Sequence, residues 1–210
     1  MELLSVLFIP NNLPYYILIS LIGVSILTVI FRPKFLPIPL ILGVIAFFIA
    51  LIIEGVETTQ SDLLFMIIIG APVLEEILKF IMTAHGKDIR TGITVGFGFA
   101  LLENAYYFSA YSSILLTIFL IRFLSDPILH GTTTSVATLG WKKYRYVLIA
   151  IAMHSFWNVL AVFSAYNNSY IPMILITIVY GIILTYMRYF RGKKEEVRKT
   201  DMEASNVHIQ

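Results

Sequence analysis

The sequence predicts an all-α fold: a polytopic membrane helix bundle of about seven transmembrane helices, with the N-terminus out and the C-terminus in. Three observations predict it. Hydrophobic residues make up 58% of the 210-residue chain and charged residues only 13%, about half the roughly 25% of an ordinary soluble domain. Seven segments are apolar and near the length of about 20 residues that crosses a hydrocarbon core. Basic residues gather in every second connection between those segments. The same composition excludes a soluble globular domain, a disordered chain and a nucleic-acid binder with a basic face. The absence of Cys excludes disulfides, thiolate metal sites and a Cys nucleophile.

In chain order the segments are 13–31, 36–53, 61–82, 91–110, 113–139, 146–165 and 170–189. The first follows a start, Met1-Glu2, without a basic leader region, so it reads as a span and not as a cleavable signal. The first, second and seventh have no ionisable residue in their central portions. Arg32 and Lys34 separate segments one and two, Lys87 and Arg90 segments three and four, and Lys142, Lys143 and Arg145 segments five and six. Six further Lys and Arg residues follow from Arg188 onward. The intervening loops have none, and the one between segments two and three carries Glu54, Glu57 and Asp62 instead. The positive-inside rule puts the basic loops in the cytoplasm. One helix more or fewer would scramble the alternation. Residues 1–190 therefore read as a single transmembrane domain and 191–210 as a basic, solvated cytoplasmic tail. The expected setting is a cell membrane, crossed several times.

Segments three to six hold residues that lipid does not tolerate: Glu75, Glu76, Lys79, Glu103, Asn104, Arg122, Asp126, His130, His154 and Asn158. A charge at mid-bilayer costs about 2.5–3.5 kcal/mol even on the lenient insertion scale, so these groups must face one another or a wet cavity. A rise of 1.5 Å per residue puts Glu75 about 13 Å, His130 about 14 Å, His154 about 12 Å and Glu103 about 18 Å from the cytoplasmic boundary. Four helices thus bring acids and imidazoles to one layer. Spacing of four residues puts Glu75 with Lys79, Arg122 with Asp126 and His130, and His154 with Asn158 on shared faces. Pro72 is expected to free a backbone carbonyl just before Glu75. Gly92, Gly96 and Ala100 give the small-residue spacing that lets helices approach closely. Four carboxylates against two cations leave two uncompensated negative charges, to be met by protons or by a divalent metal.

The order Glu75-Glu76-x-x-Lys79, Phe99-x-x-x-Glu103-Asn104, a lone His130 and His154-x-x-x-Asn158, each on its own helix, resembles the PrsW family of intramembrane proteases. It is more distantly similar to the type II CAAX prenyl endopeptidases. The resemblance covers about half the chain. Glu103, where the prenyl enzymes have His, favours PrsW. Lys79 stands where they have an Arg one residue further on. What the resemblance implies is a glutamate-dependent peptidase. Glu75, with Glu76, would activate water, His130 would relay the proton, and His154 and Asn158 would stabilise the oxyanion. Glu103 would complete the site. The implied partner is a membrane-tethered protein substrate, such as an anti-sigma-factor-like single-span protein. The site's depth on the cytoplasmic side fits awkwardly with cleavage of extracytoplasmic segments.

Blander roles are weighed beside these. Lys79 reads as a counter-ion to Glu75 that snorkels inward, and Arg122–Asp126 as an ion pair orienting His130. Glu103 and Asn104 serve equally as a helix tie. Met153, Phe156 and Trp157 read as packing, and Tyr106 and Tyr107 as belt aromatics. The competing function is a proton- or ion-coupled transporter with the Glu/His cluster as a relay, against which stand the missing internal repeat and the small helix count. No cofactor is expected. Zinc on Glu75, His130 and His154 ranks lower, because no His-Glu-x-x-His helix is present and Lys79 would repel a dication.

Overall fold

A computed structural model describes residues 13–31, 37–57, 63–110 and 116–191. Among them lie seven helices and no strand. They are α1 (Leu13–Phe31), α2 (Pro37–Glu57), α3 (63–82), α4 (Ile89–Ala110), α5 (Leu116–Thr138), α6 (Arg145–Asn167) and α7 (Ile171–Tyr186). The all-α bundle is the predicted one, with helix ends within a few residues of expectation. Among the described residues, three helices are long and apolar enough to cross a membrane by length and composition: Pro37–Glu54, Arg145–Asn167 and Ile171–Tyr189. Asp62, Arg32, Lys34 and all of the expected tail except Arg191 lie outside the described residues.

α4 is the axis of the bundle. Every residue from Thr91 to Leu102 is buried, and α4 packs most extensively on α5, then on α2 and α1. Its glycines make that possible. A Cβ on Gly96 would collide with the backbone carbonyl of His130, and one on Gly92 would lie 2.8 Å from the Cα of Ser135. The expected small-residue stripe is therefore the α4–α5 contact, and it brings the turn carrying His130 against the axis. Gly98 and Gly43 do the same for α2, facing the Leu40 and Val95 carbonyls. Phe47 of α2 meets the Phe99 ring edge-on at 5.6 Å. The outer faces of α6 and α7 stay exposed and apolar, Phe156 and Ile182 among them, as lipid-facing surfaces do.

α3 is not uniform. A short turn, Leu63–Phe65, passes into a π-helical turn, Met66–Gly70, and then into regular helix, Ala71–Met82. The Ala71 N–H donates to the Met66 carbonyl, five residues back. The next such bond, to the Ile67 carbonyl, would need an N–H from Pro72, which has none. The predicted freed carbonyl is thus real, and it is Ile67's. Below the site, Trp141 donates from Nε1 to Thr83 Oγ1 at 3.0 Å, stacks on Phe80 at 4.6 Å and lies under Lys87. These contacts tie the basic ends of α3 and α5 together.

Some boundaries differ from expectation. Glu54 and Glu57, expected in a loop, lie in α2, and Arg90 and Arg145 lie in the first turns of α4 and α6. Glu54 is accommodated there because its carboxylate lines a cavity inside the bundle.

Candidate active site

The structure brings all six predicted site residues together. On α3, Glu76 is fully buried, and its Oε1 lies 2.7 Å from Lys79 Nζ and 2.9 Å from His154 Nδ1. The Thr133 hydroxyl donates to the same oxygen at 2.9 Å. Glu75 Oε2 stands 3.5 Å from Lys79 Nζ, 3.9 Å from His154 Nδ1 and 4.0 Å from His130 Nδ1.

Lys79 departs from its expected role. It does not snorkel: it is 0% exposed, closer to Glu76 than to Glu75, and its ammonium donates to His130 Nδ1 at 2.6 Å. The Phe99 ring lies 4.4 Å beneath that ammonium and 4.9 Å from the His130 ring. The physical reason is the short crossing of α4 and α5, which closes the route to the boundary and gives the cation carboxylate and aromatic partners instead.

His130 joins two layers. Its Nε2 is 2.5 Å from Glu103 Oε2. An ionised carboxylate only accepts and an ammonium only donates, so Nε2 carries the proton and Nδ1 the lone pair. Around Glu103 lies the second layer. Arg122 reaches Glu103 Oε1 and Asp126 Oδ1, both at 3.2 Å, and covers the Tyr107 ring at 4.3 Å. The expected Arg122–Asp126 pair exists. His130's nearer carboxylate, however, is Glu103, since Asp126 Oδ1 lies 3.7 Å away. Asn104 ties helices, donating to the Arg122 carbonyl at 3.4 Å. Asn158 donates from Nδ2 to the Ile67 carbonyl at 2.6 Å, the one that Pro72 leaves without a backbone donor.

A cavity of about 330 Å³ runs from Glu75 and His154 toward the end of the bundle away from Lys87 and Lys142. On α3 it is lined from Leu63 to Glu75, on α4 from Glu103 to Tyr107, on α5 from Arg122 to Leu129 and on α6 from His154 to Val162. Sequence reasoning missed three of its walls. Glu54, expected in a loop, Tyr107, expected in a belt, and Trp157, expected as plain packing, all line it. A three-residue step from His154 was the available signal for Trp157, and a four-residue step from Glu103 that for Tyr107.

Glu75, His130 and His154 can each offer a ligand atom within 4.8 Å of the others; Glu103, Asp126 and His130 form a second such group. The first group fits a zinc ion. Two His and one Glu are a known catalytic zinc set, and an ion there would take the place on His130 Nδ1 that the Lys79 ammonium holds at 2.6 Å. Both imidazoles also have a carboxylate behind the ring nitrogen that would face away from an ion: Glu103 on His130 Nε2 and Glu76 on His154 Nδ1. Such outer carboxylates orient metal-binding histidines. The second group fits poorly, because Arg122 already bridges its two carboxylates.

A buried His/Glu cluster, with Glu75, Glu103 and His154 lining a cavity inside an apolar helical bundle, can serve an intramembrane hydrolase. Residues 32–187 match the pattern of the PrsW family intramembrane metalloproteases, and the chain belongs to that family. It is thus a membrane protein and by membership a protease; the competing transporter reading has no support from it. Neither a curated protein nor a solved structure matches the chain.

Proposed function

We propose that the chain is a metal-dependent endopeptidase that hydrolyses a peptide bond of a membrane-tethered, single-span protein, with Glu75, His130 and His154 as the ion's ligands. The observation that carries this reading is the two-imidazole, one-carboxylate set beside the cavity, each imidazole oriented by its own carboxylate. A bound zinc supplies Lewis acidity toward the scissile carbonyl and toward water. The chain's own groups do the rest. Glu103 holds the His130 proton at Nε2 and Glu76 that of His154 at Nδ1, so His154 keeps its Nε2 lone pair for the site, and His130 keeps one at Nδ1 once Lys79, which donates to it at 2.6 Å, withdraws. Lys79, within 2.7 Å of Glu76, offsets that carboxylate's charge. Glu75, Glu76, His130 and His154 are buried, and fixed donors and charges act most strongly where water is excluded.

The cavity supports a direction of approach. Its lining leads away from the basic loops, so on the positive-inside orientation the substrate reaches Glu75 from the outer side. On that orientation the lining from Glu75 to Leu63 supports access for an extracytoplasmic segment. An anti-sigma-factor-like protein has the required single-span form.

One observation favours a second reading. Lys79 Nζ stands 2.6 Å from His130 Nδ1 and 3.5 Å from Glu75 Oε2, where it balances the site without an ion. Glu75 is then the base for the water, with His130 beside it, as the sequence led us to expect. The test is a panel of single-span peptides incubated with purified protein, before and after a strong chelator and after zinc is restored, with Glu75→Gln as control. Loss with chelator and recovery with zinc supports the metal reading. Full activity in metal-free protein supports glutamate alone. No cleavage by intact, zinc-supplied protein across the panel counts against peptidase function on such substrates.

A further inference from the structure

From the π-helical turn of α3 we infer that Asn158 is a positioning residue. It replaces the backbone hydrogen bond that Pro72 removes, and through that turn it fixes where Glu75 stands; it is not the donor to the substrate's oxyanion.

Three observations carry the inference. The first is the broken ladder. The Ala71 N–H reaches back five residues to the Met66 carbonyl, and the following bond, to Ile67, fails for want of an N–H at Pro72. A carbonyl left unpaired at this depth in a membrane protein is costly. The second is the partner. Asn158 Nδ2 lies 2.6 Å from the Ile67 carbonyl, across 91 residues of chain. A carbonyl only accepts, so the amide must present its N–H there.

The third is the phase of the helix. Leu63, Ile67, Ala71 and Glu75 all line the cavity, at strict four-residue steps. On a regular α-helix each such step drifts about 40° around the axis. The wider π turn takes up part of that drift between Ile67 and Ala71. The turn therefore sets which way Glu75 faces, and Asn158 is what closes its open bond. His154, one turn before Asn158 on α6, binds Glu76 at 2.9 Å. One face of α6 thus grips α3 on both sides of Pro72.

This inference deepens the peptidase reading and depends on it only for the rate measurement. The decisive experiment is a double-mutant cycle between Asn158→Ala and Pro72→Ala, in full-length protein in detergent micelles. Pro72→Ala supplies an N–H at the position where the bond to Ile67 is missing. In the otherwise unaltered protein, Asn158→Ala is expected to lower kcat about tenfold or more and to leave KM within about twofold, the order expected for an orphaned buried carbonyl. Combined with Pro72→Ala, the same change is expected to cost less than about twofold, and melting temperatures should show the same rescue. An equal loss in both backgrounds would mean that Asn158 acts on the substrate directly, and would overturn the inference. If Asn158→Ala does not fold, Asn158→Leu takes its place, close in size but with no donor. Folding restored by Pro72→Ala then supports the clamp, and failure in both backgrounds overturns it. If no peptide is cut by the unaltered protein, the peptidase reading fails alone. The cycle in melting temperature still decides the clamp: coupling supports it and additivity refutes it.

Discussion

Lys79 is the residue on which the charged cluster turns. It is the only cation that touches Glu75, Glu76 and His130 among the described residues. Removing one partner of a buried pair leaves an uncompensated charge, at a cost of about 3–5 kcal/mol. Lys79→Ala is therefore expected to lower unfolding stability by that order, while Lys87→Ala, on an exposed residue at the basic end, changes it little. Equilibrium unfolding in mixed micelles measures both; equal small effects would refute the assigned role. The carboxylates and imidazoles of the site were legible because lipid makes each of them expensive and four-residue spacing puts them on shared faces. Lys79's true partner was not. Whether Glu76 or Glu75 lies nearer depends on rotamers set by α4 and α5. Asn158 was legible as a site residue, yet its acceptor is a backbone carbonyl that no side-chain pattern announces.

At the scale of the element, the axis helix α4 depends on having almost no side chain where α5 crosses it. A methyl group on Gly96 would run into the His130 backbone, whereas nothing lies within 4 Å of a Cβ on Gly181 in α7. Gly96→Ala should cost about 1–3 kcal/mol by overpacking and should also slow catalysis, because α5 must give way at the turn that carries His130. Gly181→Ala should be close to neutral in both. Thermal melts and rates on the same two proteins check the pair. Helix positions were legible to within a few residues, since apolar length and the basic connections fix them. The π turn was not. Pro72 announced a break, but a π turn over a kink is chosen by what α6 offers 91 residues later. Glu54 was misplaced for a related reason: an acid at a helix end looks like a loop until the cavity beside it is seen.

For the whole molecule, orientation decides from which side a substrate meets the cavity. Single-cysteine labelling is clean here, because the chain has no Cys of its own. We expect residues 60, 112 and 168 to label from outside, and residue 88, residue 143 and the C-terminus from inside. A C-terminus found outside would reverse the direction of approach, though not the geometry of the site. The bundle's class was legible from composition alone. The cavity was not, because it lies between five helices whose tilt no hydropathy pattern records.

The self-pairing of α3 bears on how such a protein can be made. Glu76 and His154 are 78 residues apart, and synthesis proceeds at roughly 5–20 residues per second. The carboxylates of α3 therefore reach the bilayer several seconds before the imidazole that will hold them. During that wait Lys79, three and four residues along the same helix, can neutralise either one from within. A nascent α3 arrives carrying its own temporary counter-ion, and the later helices inherit a cation already in place.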